Sequence, residues 1–284
     1  MIKTQSDALI VNLAPTGMVP TREHSPHVPL TVAEIVEDVC ACVAAGASMA
    51  HLHARDAHGA PSCDASIFGE IIAGIRERHP DTVIVVSTSG RLVSDVAQRA
   101  SALNLGGPVK PDMASLTLGS LNFVNQASVN SPATIQRLAE LMKERGIKPE
   151  LEIFDLGMVN FACRLIDRGL IEPPFYFNLL LGNIATAQLD LLHLAALVNG
   201  LPPGSTWSVA GIGRTQAVAN AMGAIVGHGV RTGLEDNLWL DDQRTRLATN
   251  RELVARCTAV AAALGRPLAT AAQVRTRLGL QPRP

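Results

Sequence analysis

Two histidines one residue apart, His51-Leu52-His53, carry the strongest chemical signal in the chain. They close a short apolar run, Met49 to Ala54, that reads as a β-strand. Residues two apart on a strand point to the same face, about 6.6 Å apart along it, so both imidazoles can converge on one metal ion. The competing account is a pair of core histidines, each satisfied by a neighbour. A second run, Val230-Arg231-Thr232-Gly233-Leu234-Glu235-Asp236-Asn237, supplies an acid. Read as a strand, it places Arg231, Gly233 and Glu235 on one face. Two histidines and one carboxylate leave a coordination position open, as in a catalytic rather than a structural site. Zn²⁺ suits that set, with Mn²⁺, Co²⁺ and Fe²⁺ as alternatives. A solvated loop is the competing account of Glu235-Asp236-Asn237.

Other polar residues fall at strand ends: Ser87-Thr88-Ser89-Gly90-Arg91, then Ser115 and Thr117, Glu150 and Glu152, and Asn178. An acid inside an apolar run such as Glu150-Leu151-Glu152-Ile153-Phe154 is expensive to bury without a partner. Arg231 is the natural one. A Glu152–Arg231 pair would orient Asp236 and make it a general base whose pKa is set by charged neighbours. For Glu152 alone, a plain ion pair in the core competes.

These residues need a frame that gathers strand ends. Strand-like runs fall at Ala8–Ala14, Met49–Ala54, Val83–Ser89, Met113–Gly119, Pro149–Asp155, Phe175–Gly182, Thr206–Gly213 and Val230–Asn237. Helical patterns fill the gaps, at Val32–Gly46, Ala65–Arg78, Leu92–Leu105, Pro132–Gly146, Met158–Gly169, Ala185–Val198, Gln216–Gly227 and Arg251–Gly265. Thr31 with Glu34 forms a capping-box signature, and Gly146 and Gly265 stand where helices should stop. Eight strand-then-helix units without a linker predict a single (β/α)8 TIM-barrel domain over residues 1–284, of the α/β class. Catalytic groups then belong at the C-terminal ends of the strands, and strand eight lies about two strands from strand two. Leu268–Pro284 reads as an extra C-terminal helix on the outside of the barrel.

Composition excludes several functions. The 24 Lys and Arg against 25 Asp and Glu leave a net charge of −1, without the basic runs that hold nucleic acid or anionic membranes. No apolar stretch approaches the roughly 20 residues of a membrane span. Met1-Ile2-Lys3-Thr4 lacks the features of a secretory signal, and five cysteines include no C-x-x-C. A cytoplasmic protein with free thiols is expected. No nucleophile elbow, Walker loop or dinucleotide fingerprint occurs, although Gly211-Ile212-Gly213-Arg214 could admit a phosphate or pantetheine close to the backbone. A site without a dedicated side-chain nucleophile is suited to polarising a carbonyl and moving a proton.

Together, His51-Leu52-His53-Ala54-Arg55, Ser87-Thr88-Ser89-Gly90, Pro149-Glu150-Leu151-Glu152, Ala210-Gly211-Ile212-Gly213-Arg214 and Gly233-Leu234-Glu235-Asp236-Asn237 resemble the β-keto acid cleavage enzymes. The likeness runs from about Leu9 to Leu280. It implies a Zn²⁺-dependent, homo-oligomeric (tetrameric) barrel that condenses a β-keto acid with acetyl-CoA, giving acetoacetate and a new acyl-CoA. It also implies that His51, His53 and Glu235 hold the metal, that Asp236 is the base oriented by Arg231 and Glu152, and that Ser87 and Ser115 contact the substrate carboxylate, near Thr117. CoA thiolate released in the first half-reaction would be the second nucleophile.

One position departs from the aminohexanoate type of the family, where a Glu in the first β/α loop pairs with the substrate amino group. Here Val19 stands in its place, beside Met18, which predicts a substrate tail that is uncharged or apolar. Gly211, Gly213 and Arg214 are the expected CoA contacts, with Arg22 and Arg91 as further cations for its phosphates. Two other readings compete: a zinc amidohydrolase-like barrel, and a non-catalytic barrel that binds metal or acyl-CoA.

Overall fold

The computed structural model describes residues 7–282. The signal reading of Met1-Ile2-Lys3-Thr4 and the last two residues of the expected C-terminal helix lie outside that range. Strands and helices alternate along the chain: β1 (Ile10–Leu13), α1 (Val32–Ala44), β2 (Met49–Leu52), α2 (Ala65–Arg78), β3 (Val83–Val86), α3 (Val96–Arg99), β4 (Met113–Thr117) and α4 (Pro132–Glu144). They continue as β5 (Lys148–Ile153), α5 (Leu156–Asp167), β6 (Tyr176–Leu181), α6 (Leu191–Gly200), β7 (Thr206–Gly211), α7 (Gln216–Val226), β8 (Gly229–Thr232), α8 (Asn250–Ala263) and α9 (Ala271–Leu278). The eight strands pair in parallel as a closed barrel in the order β1-β8-β7-β6-β5-β4-β3-β2. This is the expected (β/α)8 architecture.

Side-chain alternation explains why the runs are so apolar. In β3, Ile84 and Val86 face the helices and join the large outer core, while Val83 and Val85 face the lumen. Ile10, Met49, Met113 and Tyr176 complete the apolar floor of the lumen. Polar residues fill the layers above. Helix starts are set locally: Thr31 and Glu34 form the expected capping box, and Thr249 with Glu252 forms another on α8. Gly146 and Gly265 take left-handed φ values of 58° and 64°, which end α4 and α8 as expected.

The C-terminal segment departs from expectation. Instead of packing on the outside, α9 closes the floor: Val274 and Leu278 are buried against Ile10, Met49 and Val83. Arg275 fixes it with a bidentate ion pair to Asp112, at 2.9 and 3.0 Å. Several expected strands are too long. β3 ends at Val86, β7 at Gly211 and β8 at Thr232, so the residues after them lie on turns at the barrel mouth. Gly233 stops β8, with φ 148° and no room for a Cβ against the Ala14 carbonyl. The expected helix at 92–105 shrinks to α3 and a 3-10 turn, because buried Arg99 is drawn into hydrogen bonds with the Thr88 carbonyl and Asn130. α6 starts only at Leu191, where Asp190 caps it.

Candidate active site

His51 and His53 project from the end of β2 into the mouth, and their Nε2 atoms face each other at 3.2 Å. Glu235 reaches them from the turn after β8, with oxygens 3.4 Å from His53 Nε2 and 4.0 Å from His51 Nε2. Donors bound at about 2.0–2.1 Å in a tetrahedron stand roughly 3.3 Å apart, so this spacing fits one small divalent ion. Two further observations support the fit: Glu235 Oε2 is buried with no hydrogen-bond partner, and two histidines plus a carboxylate are a donor set such ions accept. Gly17, at φ 65°, lets the first loop pass close behind Glu235; a Cβ there would stand 2.6 Å from its Cγ. The parity argument for Glu235 fails because β8 stops at Thr232, yet the turn delivers the carboxylate to the same place.

Glu150 is the residue that the sequence alone did not single out for this role. Wholly buried in β5, it accepts a 2.6 Å hydrogen bond from His51 Nδ1, and its other oxygen accepts from the amides of Asn12 and Asn178, both at 2.7 Å. Burial opposes charge on His51, but Glu150 outweighs it and pushes the ring pKa up to about 9. The hydrogen bond to Glu150 places a proton at Nδ1 and turns Nε2 to the mouth, the arrangement that a metal-ligating histidine takes with a carboxylate behind it. Glu150-x-Glu152 on one strand face was the available signal.

Arg231 organises the acids. Its Nε and Nη2 donate to Asp236 at 2.9 and 3.1 Å, Nη2 also to Glu235 at 2.7 Å, and Nη1 to Glu152 at 3.1 Å. The expected Glu152–Arg231–Asp236 chain is thus in place, and Thr117 donates to the other Glu152 oxygen at 2.7 Å. Burial raises the pKa of Glu235, but Arg231 and the two histidines hold it well below the usual carboxylate range. Asp236 ends on the other side. Burial raises its pKa, Arg231 opposes, and the charge of Glu235 tips the balance upward. A carboxylate raised in this way and fixed in orientation is suited to accept a proton.

The turn carrying both acids is gripped from behind by three buried amides. Asn220 donates to the Arg231 carbonyl, Gln216 to the Gly233 carbonyl, and Asn250 accepts from Leu234 N–H while donating to the Pro15 carbonyl. Buried Arg55 holds the first β/α loop through the carbonyls of Gly17 and Pro20. None of these four was singled out from the sequence, since a buried amide or arginine has no spacing signature.

The mouth is a cavity of about 580 Å³. Ser87, Thr117 and Val19 line it with Met18, as expected. Ser115 does not; its hydroxyl oxygen accepts from Thr88 N–H at 3.1 Å, beneath the lining. Gly213 lines the wall, whereas Gly211 is packed against the backbone of Thr215, 2.6 Å from where its Cβ would be. Exposed Arg214 is not among the residues that line the cavity, and Arg22 is engaged by Glu34 and the Pro26 carbonyl. Arg91 and Arg244 are the arginines that join Arg231 in the lining.

A family model described as beta-keto acid cleavage enzyme matches residues 8–280. The 3-keto-5-aminohexanoate cleavage enzyme of Fusobacterium nucleatum is 38% identical over 277 residues, which cover 97% of this chain and 99% of that protein. The 3-oxoadipate:acetyl-CoA acetyltransferase of Cupriavidus necator is 39% identical over 274 residues, 95% and 94% of the two. Among solved structures, the ternary complex of ObcA with C4-CoA adduct and oxalate superposes with a TM-score of 0.78 at 22% identity, covering 90% of this chain and 68% of that one. At that identity the likeness is one of fold. A match that runs through all eight units of the barrel, with relatives this similar over nearly their whole length, makes the chain a member of the β-keto acid cleavage enzyme family.

Proposed function

We propose that this protein transfers acyl groups between a β-keto acid and acetyl-CoA, releasing acetoacetate and a new acyl-CoA. The observation that carries the reading is the placement of Asp236, locked by Arg231, beside the converging donors of His51, His53 and Glu235. A divalent ion held by those three, Zn²⁺ in our reading, would polarise the substrate ketone and make the neighbouring methylene acidic. Asp236 takes the C2 proton, and Arg231 steadies it by hydrogen bonds to both of its oxygens. Glu152 holds Arg231 from the far side and is itself fixed by Thr117. The C2 carbanion forms a bond to the thioester carbon, and the C–S bond breaks to release CoA thiolate. That thiolate adds to the former ketone, the C2–C3 bond breaks, and Asp236 returns the proton to C2. Atoms balance without a covalent intermediate on the protein.

Ser87 and Ser115 were the expected carboxylate contacts; Ser87 lies in the cavity to serve, and Ser115 supports it from below through Thr88. For the CoA moiety, expected at Gly211, Gly213 and Arg214, Gly213 and Arg244 at the rim offer the wall along which pantetheine and phosphates would run, while Gly211 packs behind that wall and Arg214 lies outside the cavity. Val19 and Met18 offer no charge for a cationic tail, which supports a substrate whose tail is uncharged or apolar. The five free cysteines fit a reducing, cytoplasmic setting, and no helix among the described residues is long and apolar enough to cross a membrane. Exposed Ile184, Leu191 and Leu192, 68%, 72% and 78% accessible before and at the start of α6, support a homo-oligomer, tetrameric by family resemblance. A screen of β-keto acids against acetyl-CoA, read by acetoacetate release, tests the activity. Release that needs both substrates supports it; cleavage by water alone would favour a hydrolase.

A further inference from the structure

A β-keto acid brings a carboxylate into a mouth that already holds Glu152, Glu235 and Asp236. A cation placed to meet it would offset that repulsion. Arg231 is not free to do so, because each of its three nitrogens is engaged by a carboxylate. Arg244 sits out at the exposed rim. Arg91 is different. It is half-buried in the cavity wall and makes no ion pair among the described residues.

Its guanidinium lies over the ring of Phe123, 3.5 Å from the centroid. Phe123 is in turn braced edge-on by Phe154, with centroids 6.0 Å apart, and by the backbone hydrogen bond from its N–H to the Gln126 carbonyl. Stacking fixes the plane of an arginine while leaving its N–H edges open, the geometry that receives a carboxylate with two parallel hydrogen bonds. The backbone beneath is also set: Arg91 N–H donates to Ser89 Oγ, and Ser89 N–H to Ser87 Oγ, which leaves the Ser87 hydroxyl hydrogen to donate. Ser115, by contrast, presents no donor to the cavity. Burial lowers the Arg91 pKa and the charges of Glu235, Glu152 and Asp236 raise it, as expected for a cation partly withdrawn from water in an acidic mouth.

We infer that Arg91, stacked on Phe123, binds the C1 carboxylate common to all β-keto acids, with Ser87 as its hydrogen-bonding partner. This rests on the acyl-transfer reading above. The chemistry explains why a strong grip is useful. A β-keto acid loses carbon dioxide most readily when its carboxyl proton can pass to the ketone, so an ionised carboxylate held in two hydrogen bonds is protected through both half-reactions and leaves intact in acetoacetate.

Acetoacetate and its methyl ester, titrated calorimetrically into the metal-loaded protein, isolate the carboxylate contact without turnover. Wild type should prefer the acid, and Arg91→Met should weaken acid binding about 10- to 100-fold and erase the preference, since a charge-assisted pair is lost. Arg91→Lys should restore part of it, and Phe123→Leu should cost a few-fold by loosening the stack, about what a cation–π contact contributes. In kinetics the KM for β-keto acids should rise alike for every tail, with the acetyl-CoA KM unchanged. An acid-over-ester preference that survives Arg91→Met overturns the inference. So does an effect confined to acetyl-CoA, or to substrates with a second carboxylate. If wild type binds acetoacetate through Arg91 but no β-keto acid yields it, the carboxylate site stands and the acyl-transfer reading falls.

Discussion

Replacing Glu150 by Gln is the most informative perturbation of the proposed metal site, because it removes a charge and almost no volume. Glu150 accepts three hydrogen bonds, and all three partners donate. A glutamine offers one accepting oxygen and an NH2. Placed with its oxygen toward His51, it would aim its hydrogens at Asn12 and Asn178. Those amides can rotate to accept, since the Oδ1 atoms of both are buried without a partner. The fold should therefore survive at a cost of about 1 kcal/mol, the scale of one rearranged neutral hydrogen bond. What cannot be recovered is the charge behind His51 Nδ1. A hydrogen bond to a charged group contributes about 1.5–3 kcal/mol against about 1 for a neutral one. The loss of about 0.5–2 kcal/mol corresponds to zinc affinity about 2- to 30-fold weaker, and the less basic imidazole adds to it, toward the upper end of the roughly 10- to 100-fold that losing such a partner typically costs. Competition with a chromophoric chelator measures it, and a melting curve of the metal-free protein separates it from folding. Unchanged zinc affinity would refute the claim that Glu150 tunes His51 as a ligand.

Asp236→Asn should retain metal by elemental analysis and lose about 10²–10⁴-fold in kcat, the usual contribution of a positioned base. Near-normal turnover would remove Asp236 from the mechanism. Gly233→Ala should destabilise the protein by at least about 2 kcal/mol, because alanine at φ 148° is strained and its Cβ would collide with the Ala14 carbonyl; denaturant midpoints measure this. His228 is held neutral: burial and the nearby Arg277 lower its pKa to about 4. Its contribution to stability is therefore full above the unfolded value of about 6.5 and is lost as pH falls toward 4, so melting temperatures of wild type and His228→Gln should differ in pH slope across that window.

The barrel was legible because each unit repeats the same pattern, a β-branched run followed by an amphipathic stretch with capping residues. The cluster that could hold a metal was legible for a related reason: His51 and His53 are two apart on a strand, and the frame fixes where strand ends meet. Strand parity then failed at Glu235. A single glycine, Gly233, ends β8 two residues before the acid, and only its left-handed φ shows that the chain has turned. The supports were the least legible. Glu150 becomes a partner of His51 only because β2 and β5 face each other across the lumen, and Gln216, Asn220 and Asn250 act through backbone atoms far away in sequence. Ser115 and Arg91 exchange prominence for the same reason. Whether a side chain meets the cavity depends on which neighbour claims it first, and Thr88 claims Ser115 while Phe123 leaves the edge of Arg91 open.

Carbon tracing tests the central claim most directly. With acetyl-CoA labelled in both acetyl carbons and an unlabelled β-keto acid, the account predicts label at C3 and C4 of acetoacetate and none in the new acyl-CoA. Labelled free acetate, or label in the new acyl-CoA, would contradict it.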